Sequence, residues 1–499
     1  MTAIKNKHTI FLLILILLGF SGCKDKWEDH NQVGNPVLNQ NLLEMINQNS
    51  DLSTFAGYLR STGYDEVIAS SKTFTVWAPV NSALENLDPG IVSDDSLLKQ
   101  FVANHISNQA YMTRNANPLL TIRTLNGKNI LFTKTKFEEA GITTPDLYGR
   151  NGVLHVIDAA VPVKDNAWQY LNDYATTVQK TFLLSQNYTY RDLSRAEITG
   201  IDPNTGNPIY KEGTGYFNSN LFLENVADLS NEDGKFTFVI LTDAALTAEI
   251  AKVKPYFTVN ISGLTPERNA FLTDSITKWM IMKDLVFVGD YTDDNLPDTL
   301  VSYDSVKVHL NPAAIVESHK VSNGVVYIMN SLEYRMKDKL KPVIIEGENY
   351  VPNTLVTPAV SYMNTSGTRS VRTRKNPYTN QNFTEIYFYN HGTSGYWIHY
   401  LPTLNSGVTY NVYWVAVRDF NTTGTITYFT QRVAFGTTAL ISTLPYKQVD
   451  LLNYNEIYVG TYTSTVYGPQ HAFLVAFTST NNSLNSLVLD YIKMVPVIP

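Results

Sequence analysis

Nine histidines, one cysteine and 45 acidic residues are the groups from which this 499-residue chain would have to assemble a catalytic or metal site. Their spacing assembles none. There is no His-Glu-x-x-His pair, no Gly-x-Ser-x-Gly elbow, no Gly-rich phosphate loop and no Cys/His zinc spacing. Asp202 to Gly206 begins like a calcium loop, but Gly213 stands where a bidentate Glu is required, so it reads as a turn. Asp293 to Asp298 reads as a solvated acidic loop. The chain therefore reads as a binding protein and not an enzyme. A glycosidase working with two distant carboxylates leaves no spacing signature, and it stands behind the binding readings below.

The lone cysteine excludes an intramolecular disulfide framework and needs a local explanation. Lys5 and Lys7 precede an apolar run, Ile10 to Leu18, and Phe20-Ser21-Gly22 leads into Cys23. That order is a signal peptide, too short to span a membrane comfortably. It resembles a lipobox, which implies removal of residues 1–22 and a lipid on Cys23. Acyl chains anchor by about 0.8 kcal/mol per buried CH₂. Residues 23–39 then form a polar tether, and its charged start, Lys24 to Asp29, is similar to tags of surface lipoproteins in gut-type Gram-negative bacteria. The expected location is the outer membrane, lipid-anchored, at the cell surface.

A formal net charge of -7, with scattered Lys and Arg, supplies no field for phosphate backbones, so nucleic acid is excluded as a partner. Arg369 to Lys375 alternates with Ser, Val and Thr and reads as the solvated face of a strand. With 44% hydrophobic residues, the length leaves room for three or four cores.

An internal repeat organises the first two thirds. Lys72 to Leu84 parallels Lys235 to Leu246, each an apolar strand followed by a turn residue, Asn81 or Asp243, and a small-residue helix start. Asn151-Gly-Val-Leu-His-Val-Ile157 parallels Asn323-Gly-Val-Val-Tyr-Ile-Met329. Leu52, Phe55 and Leu59 have helical spacing behind a cap at Asn49 or Ser50, and Phe74, Val76 and Ala78 alternate as a strand. Asp94 to Ile106 predicts a helix with Leu97, Leu98, Phe101, Val102 and His105 on one face. Asn126-Gly127 predicts a hairpin turn.

These sequences resemble the fasciclin family of extracellular adhesion domains. Lys72 to Leu84 looks like its first block, Val102 to Ile106 like its central Tyr-His block with Asn104 in the Tyr position, and Asn151 to Val163 like its last. The expected copies are residues 40–165 and a divergent 166–340. The second lacks the Pro of the first block and the central His, and carries an inserted loop from Ile198 to Gly215. The family resemblance implies a packing role for His105 near an adhesive surface, and its burial on the helix face is the weightier reading.

From residue 341 to 499 the pattern changes to short strands rich in Tyr, Val, Thr and Trp, broken by Gly, Asn and Pro, as in an all-β sandwich. Expected strands include Ile386–Tyr389, Tyr396–Tyr400, Tyr410–Val417, Thr425–Phe429 and Leu487–Met494. Val343 to Tyr350 and Leu489 to Val495 are similar to the first and last strands of carbohydrate-binding-module jelly rolls. That resemblance implies a structural calcium on Glu346, Glu348 and Asp490, with Gly347 departing from the family's Ala. It also implies glycan stacking by exposed rings, for which Tyr396, Trp397, Tyr467 and Tyr378 are candidates. Trp414, inside an apolar run, is expected in the core.

The fold expected is thus multi-domain, with two α+β fasciclin-like domains before a jelly-roll-like sandwich. The function expected is adhesion or extracellular ligand binding, to glycan or matrix. The alternative is a docking subunit that binds no sugar and partners an outer-membrane transporter or a neighbouring lipoprotein.

Overall fold

The computed structural model describes residues 39–174, 176–351, 368–389, 392, 394–420, 427–436, 442–481 and 483–498. The signal segment, Cys23 and the charged run after it lie outside them, as do Thr425 and Ile426 of one expected strand.

The N-terminal domain opens with helix α1, Leu42–Gln48, where Asn41 and Glu44 form a reciprocal capping box. Asn49 caps a short 3-10 turn, and helix α2, Ser53–Thr62, ends on Gly63 in the left-handed conformation. Leu52, Phe55 and Leu59 are fully buried, as their spacing predicts. Strand β1, Phe74–Pro79, is followed by helix α3, Asp95–Asn104, which Asp94 caps. Leu98, Phe101, Val102 and His105 face inward, but Leu97 is half exposed and corrects the expected face. The cap explains it: Asp94 accepts the Leu97 N–H, placing that residue in the first turn at the edge of the apolar stripe.

Strands β2 (Ile106–Ser107), β3 (Leu120–Arg123), β4 (Asn129–Phe132), β5 (Lys136–Phe137), β6 (Ala140–Gly149) and β7 (Gly152–Ile157) complete a seven-stranded sheet, ordered β2-β1-β7-β6-β5-β4-β3. The Asn126-Gly127 turn joins β3 to β4 as expected. Strands β1 and β7 run parallel, and every residue of β1 is buried. Alternate β1 side chains serve two cores: Val76 joins the helices, while Trp77 joins Ile122, Phe132 and Phe137.

One Asn-Gly step holds this arrangement. The Asn151 side chain accepts the Leu42 N–H at 2.9 Å and donates to the Ile68 and Ser70 carbonyls at 2.6 and 2.8 Å. It thereby ties the start of α1 and the approach to β1 to the start of β7. Gly152 is required because a Cβ there would lie 1.8 Å from the Phe74 carbonyl oxygen.

The second α+β region repeats the device. Helix α4, Ala167–Asp173, is held by Asn323, which accepts the Ala167 N–H at 2.9 Å and donates to the Leu229 and Asn231 carbonyls. Strand β8 (Phe236–Leu241), helix α5 (Pro266–Met282) and strands β9 (Val286–Val288), β10 (Ile315–Val321) and β11 (Gly324–Met329) follow, with sheet order β9-β8-β11-β10. Thr75 and Thr237 occupy equivalent places, each bonding a loop carbonyl and a loop N–H beyond its sheet edge. The inserted segment forms two ribbons, Asn187–Arg191 with Tyr216–Asn220 and Ile198–Ile201 with Pro208–Tyr210.

The C-terminal region is an all-β sandwich of strands β12 (Val343–Glu346), β13 (Thr368–Lys375), β14 (Asn382–Tyr389), β15 (Trp397–Tyr400), β16 (Thr409–Val415), β17 (Thr430–Phe435), β18 (Ile457–Thr463), β19 (Ala472–Ala476), β20 (Leu487–Leu489) and β21 (Tyr491–Val497). Its sheets are ordered β12-β21-β16-β18, β13-β14-β20 and β15-β19-β17, the last extended by the short strands Ser442–Thr443 and Lys447–Gln448 on β17. Trp414 is buried, as expected. Of the strand expected at Thr425–Phe429, the described residues 427–429 precede β17, and Phe429 is buried just before it.

Asn151→Ala is expected to destabilise residues 40–165 by about 2–4 kcal/mol, because buried backbone groups lose their partners. Native-state hydrogen exchange across Ile68 to Phe74 checks this, and unchanged protection there would contradict it.

Candidate functional site

His105 is fully buried at the end of α3, between the rings of Phe55 and Phe101. Its Nδ1 bonds the Phe101 carbonyl at 2.8 Å, and its Nε2 accepts the Val161 N–H at 3.3 Å. Burial pushes its pKa down to about 4, so the ring is neutral. Strand register places Leu285 in the same position of the second region. Just before it, Asp284 replaces Asn104 and forms a buried ion pair with Lys339, while Ser302 donates to its other oxygen at 2.8 Å.

The four candidate rings do not converge. Tyr396 and Trp397 are 3% and 8% exposed, which corrects the expectation that both stack on sugars. All four residues of β15 are buried, so alternation along the strand presents no ring to solvent. Trp397 packs edge-on against Phe473 at 4.8 Å. Tyr467 is half-buried against Phe257 at 5.0 Å, and its N–H donates to the Thr258 carbonyl at 2.7 Å. Its turn is a seam with the preceding region and not a free loop. Tyr378, in contrast, is 81% exposed.

Tyr378 stands beside a groove of about 610 Å³. Its ring meets that of Tyr454 edge-on at 5.9 Å, and Tyr454 lines the groove together with the amides of Asn376, Gln381 and Asn382. Glu346, Glu348 and Asp490 line it from the other strands. Antiparallel pairing of β12 with β21 sets Glu346 opposite Tyr491 and so beside Asp490. Gly347 makes this closure: its N–H donates to the Asp490 carbonyl, and a Cβ there would lie 2.2 Å from the Leu489 carbonyl oxygen.

Burial, with the nearby charges of Glu346, Glu385 and Glu348, raises the Asp490 pKa to about 7. Burial and Glu348 likewise raise that of Glu346. The three carboxylates expected to hold calcium share this groove. Among the described residues no group of three or more His, Cys, Asp or Glu side chains could hold a metal ion. Glu346 and Glu348 flank Gly347 at the end of β12, and Asp490 immediately precedes β21.

Glu385, to which no sequence motif points, is fully buried. One of its oxygens accepts from Arg372 at 2.7 Å and Arg374 at 2.8 Å, and both arginines also reach Asp419. This corrects the reading of Arg369 to Lys375 as a wholly solvated face: alternate arginines turn inward. A lone Glu within the aromatic run Phe383 to Tyr389 is the available signal.

The geometry above has a family match in its first part. Residues 50–162 match the sequence model of the Fasciclin domain, and the chain carries a fasciclin domain there. An uncharacterized protein of Synechocystis sp. is 27% identical over 128 residues, covering 24% of this chain and 96% of that protein. Among solved structures, a FAS1 domain pair from the insect cell adhesion molecule Fasciclin I is similar over 59% of this chain and 100% of its own, at 13% identity and TM-score 0.23. A family 35 carbohydrate-binding module from Clostridium thermocellum is similar over 32% of this chain and 99% of its own, at 14% identity and TM-score 0.21.

The raised pKa of Asp490 has a definite sign in stability. Between about pH 4 and 7 the unfolded carboxyl loses its proton before the folded one, so the group's contribution falls across that window and stays low above it. Asp490→Asn, measured in chelator, is expected to raise the melting temperature relative to wild type at pH 8 and to leave it nearly equal at pH 4. An equal effect at both pH values would contradict the assignment.

Proposed function

We propose that this chain is a lipid-anchored adhesion protein of the cell envelope that binds extracellular glycan through the groove of its C-terminal sandwich. The observation that carries the glycan reading is the exposed Tyr378 ring beside a groove lined by amides, carboxylates and Tyr454. A flat ring gives contact area at low entropic cost, and polar neighbours fix the orientation of a sugar. The fasciclin domain supports the adhesion class, and the second α+β region is read as a divergent copy of it. Among the described residues no helix is long and apolar enough to cross a membrane. Anchoring in this reading rests on Cys23.

A second reading, a docking subunit that binds a protein partner of the envelope, is favoured by the inserted ribbons. Ile198, Ile201, Ile209 and Tyr216 are all exposed on them.

Screening the full chain on a glycan array tests the first reading. With a bound glycan in hand, Tyr378→Ala is expected to weaken binding by about 2 kcal/mol with little change in melting temperature. Tyr467→Ala is expected to lower the melting temperature instead, since its ring fills a seam. Full affinity in the Tyr378 variant, or no glycan bound at all, moves the weight to docking. For the anchor, Cys23→Ala is expected to shift the protein from the detergent phase to the aqueous phase on partitioning, and retention in detergent would refute it.

A further inference from the structure

We propose that His399 and His471 form an acid-sensitive latch in the sandwich, which holds strand β15 while the rings are neutral and releases it when both are protonated.

His399 lies on β15 and is 3% exposed, and His471, just before β19, is half-buried. Across the β15–β19 pairing His399 faces Phe473, and their rings lie nearly parallel with centroids 4.9 Å apart. His471 is two residues before Phe473 and shares its face of the sheet. The facing nitrogens, His471 Nδ1 and His399 Nε2, are 2.8 Å apart. That contact needs one hydrogen and one lone pair, which two neutral imidazoles supply. With both rings protonated, two N–H groups meet there with nothing to accept either, and two positive charges sit side by side. His399 Nδ1, on the far side of its ring, is buried without a hydrogen-bond partner, so a charge on that ring is not compensated there.

No counter-charge rescues the pair. Beyond Phe473 the β17 neighbour is Ala434, and Arg432, one row along, lies over the Tyr446 ring at 4.5 Å. Glu348 and Tyr350 bear on Tyr400, whose side chain alternates to the opposite face of β15. Among the described residues no carboxylate acts on either imidazole. Burial, and then His471, pushes the His399 pKa down to about 4, and burial lowers that of His471. As pH falls from about 6.5, the usual histidine value, the opened chain takes up protons before the closed one does. Stability present at neutral pH is therefore lost progressively toward pH 4.

The latch matters for what β15 holds. The Tyr400 hydroxyl donates to the Gly347 carbonyl at 2.9 Å, and the His399 carbonyl accepts the Val351 N–H at 2.8 Å. Strand β15 thus pins the chain leaving β12 at two points, and its release in acid frees residues 347–351 with it.

The test is hydrogen exchange of the full chain at pH 7.5 and pH 5, corrected for the intrinsic rate. Peptides spanning 347–351, 397–400 and 472–476 are expected to lose protection at pH 5 by about tenfold or more relative to 409–415 on β16. His399→Phe, which retains a ring against Phe473, is expected to abolish that loss. His471→Gln, which keeps a donor toward His399 but cannot charge, is expected to reduce it. Asp490 and His105 also have shifted pKa values, but both are present in all three proteins and cancel in the comparison. Should the phenylalanine variant fail to fold, NMR of ¹³C-labelled histidine in the wild type decides, with both rings expected to titrate well below pH 6.5. Equal losses in the wild type and both variants, a loss shared by β16, or titration of both rings near pH 6.5 overturns the latch.

Discussion

The antiparallel seam between Val343–Glu346 and Tyr491–Val497 is the constraint on which the sandwich and its groove depend. It joins the first and last strands of the region and sets the register of acidic residues that lie far apart in the chain. Gly347 lets the backbone pass close to Leu489, and the pKa values of Glu346 and Asp490 at this seam are raised first by burial and then by neighbouring charge. Carboxylates that would ionise freely in water face each other across the seam with little compensation. Beside it lies an ion-pair network in which Arg372 and Arg374 are bound to Glu385 and Asp419, with one Glu385 oxygen buried without a partner among the described residues.

The α+β part depends on a smaller device used twice. An asparagine side chain can accept one backbone hydrogen bond and donate two, which is what three loose chain ends require when a helix start, a loop and a strand start meet. Asn151 and Asn323 each do this, and each is followed by a glycine with a positive φ. The central helix end is where the two regions diverge. His105 is a neutral, buried post in the first, whereas Leu285 and the adjacent Asp284–Lys339 pair occupy that corner in the second. The same fold position is thus filled by a hydrogen-bonded ring in one case and by an apolar side chain beside a buried ion pair in the other.

What the chain's own sequence determined was local and periodic. Helical spacing at Leu52, Phe55 and Leu59, the cap at Asp94, the Asn126-Gly127 turn and the repeated Asn-Gly steps each act over a few residues, and each appears in the structure where the pattern puts it. The exchange of helical for alternating patterns near residue 341 likewise marked the sandwich. Tertiary structure alone decided which faces are covered. Period two says that neighbouring strand residues point to opposite sides, but not whether one side or both are packed, so Tyr396 and Trp397 are buried together at the start of β15 while Tyr378 is exposed. Tyr467 reads as a loop tip in the sequence and is a seam in the structure because the preceding region packs against it. The inward turn of Arg372 and Arg374 needed Glu385 on the adjacent strand and Asp419 beyond it. The meeting of Glu346 with Asp490 is a contact across almost the whole sandwich, and its charge crowding exists only once β12 and β21 pair. Local pattern reports what a few residues prefer, whereas burial and electrostatics belong to whatever the fold brings against them.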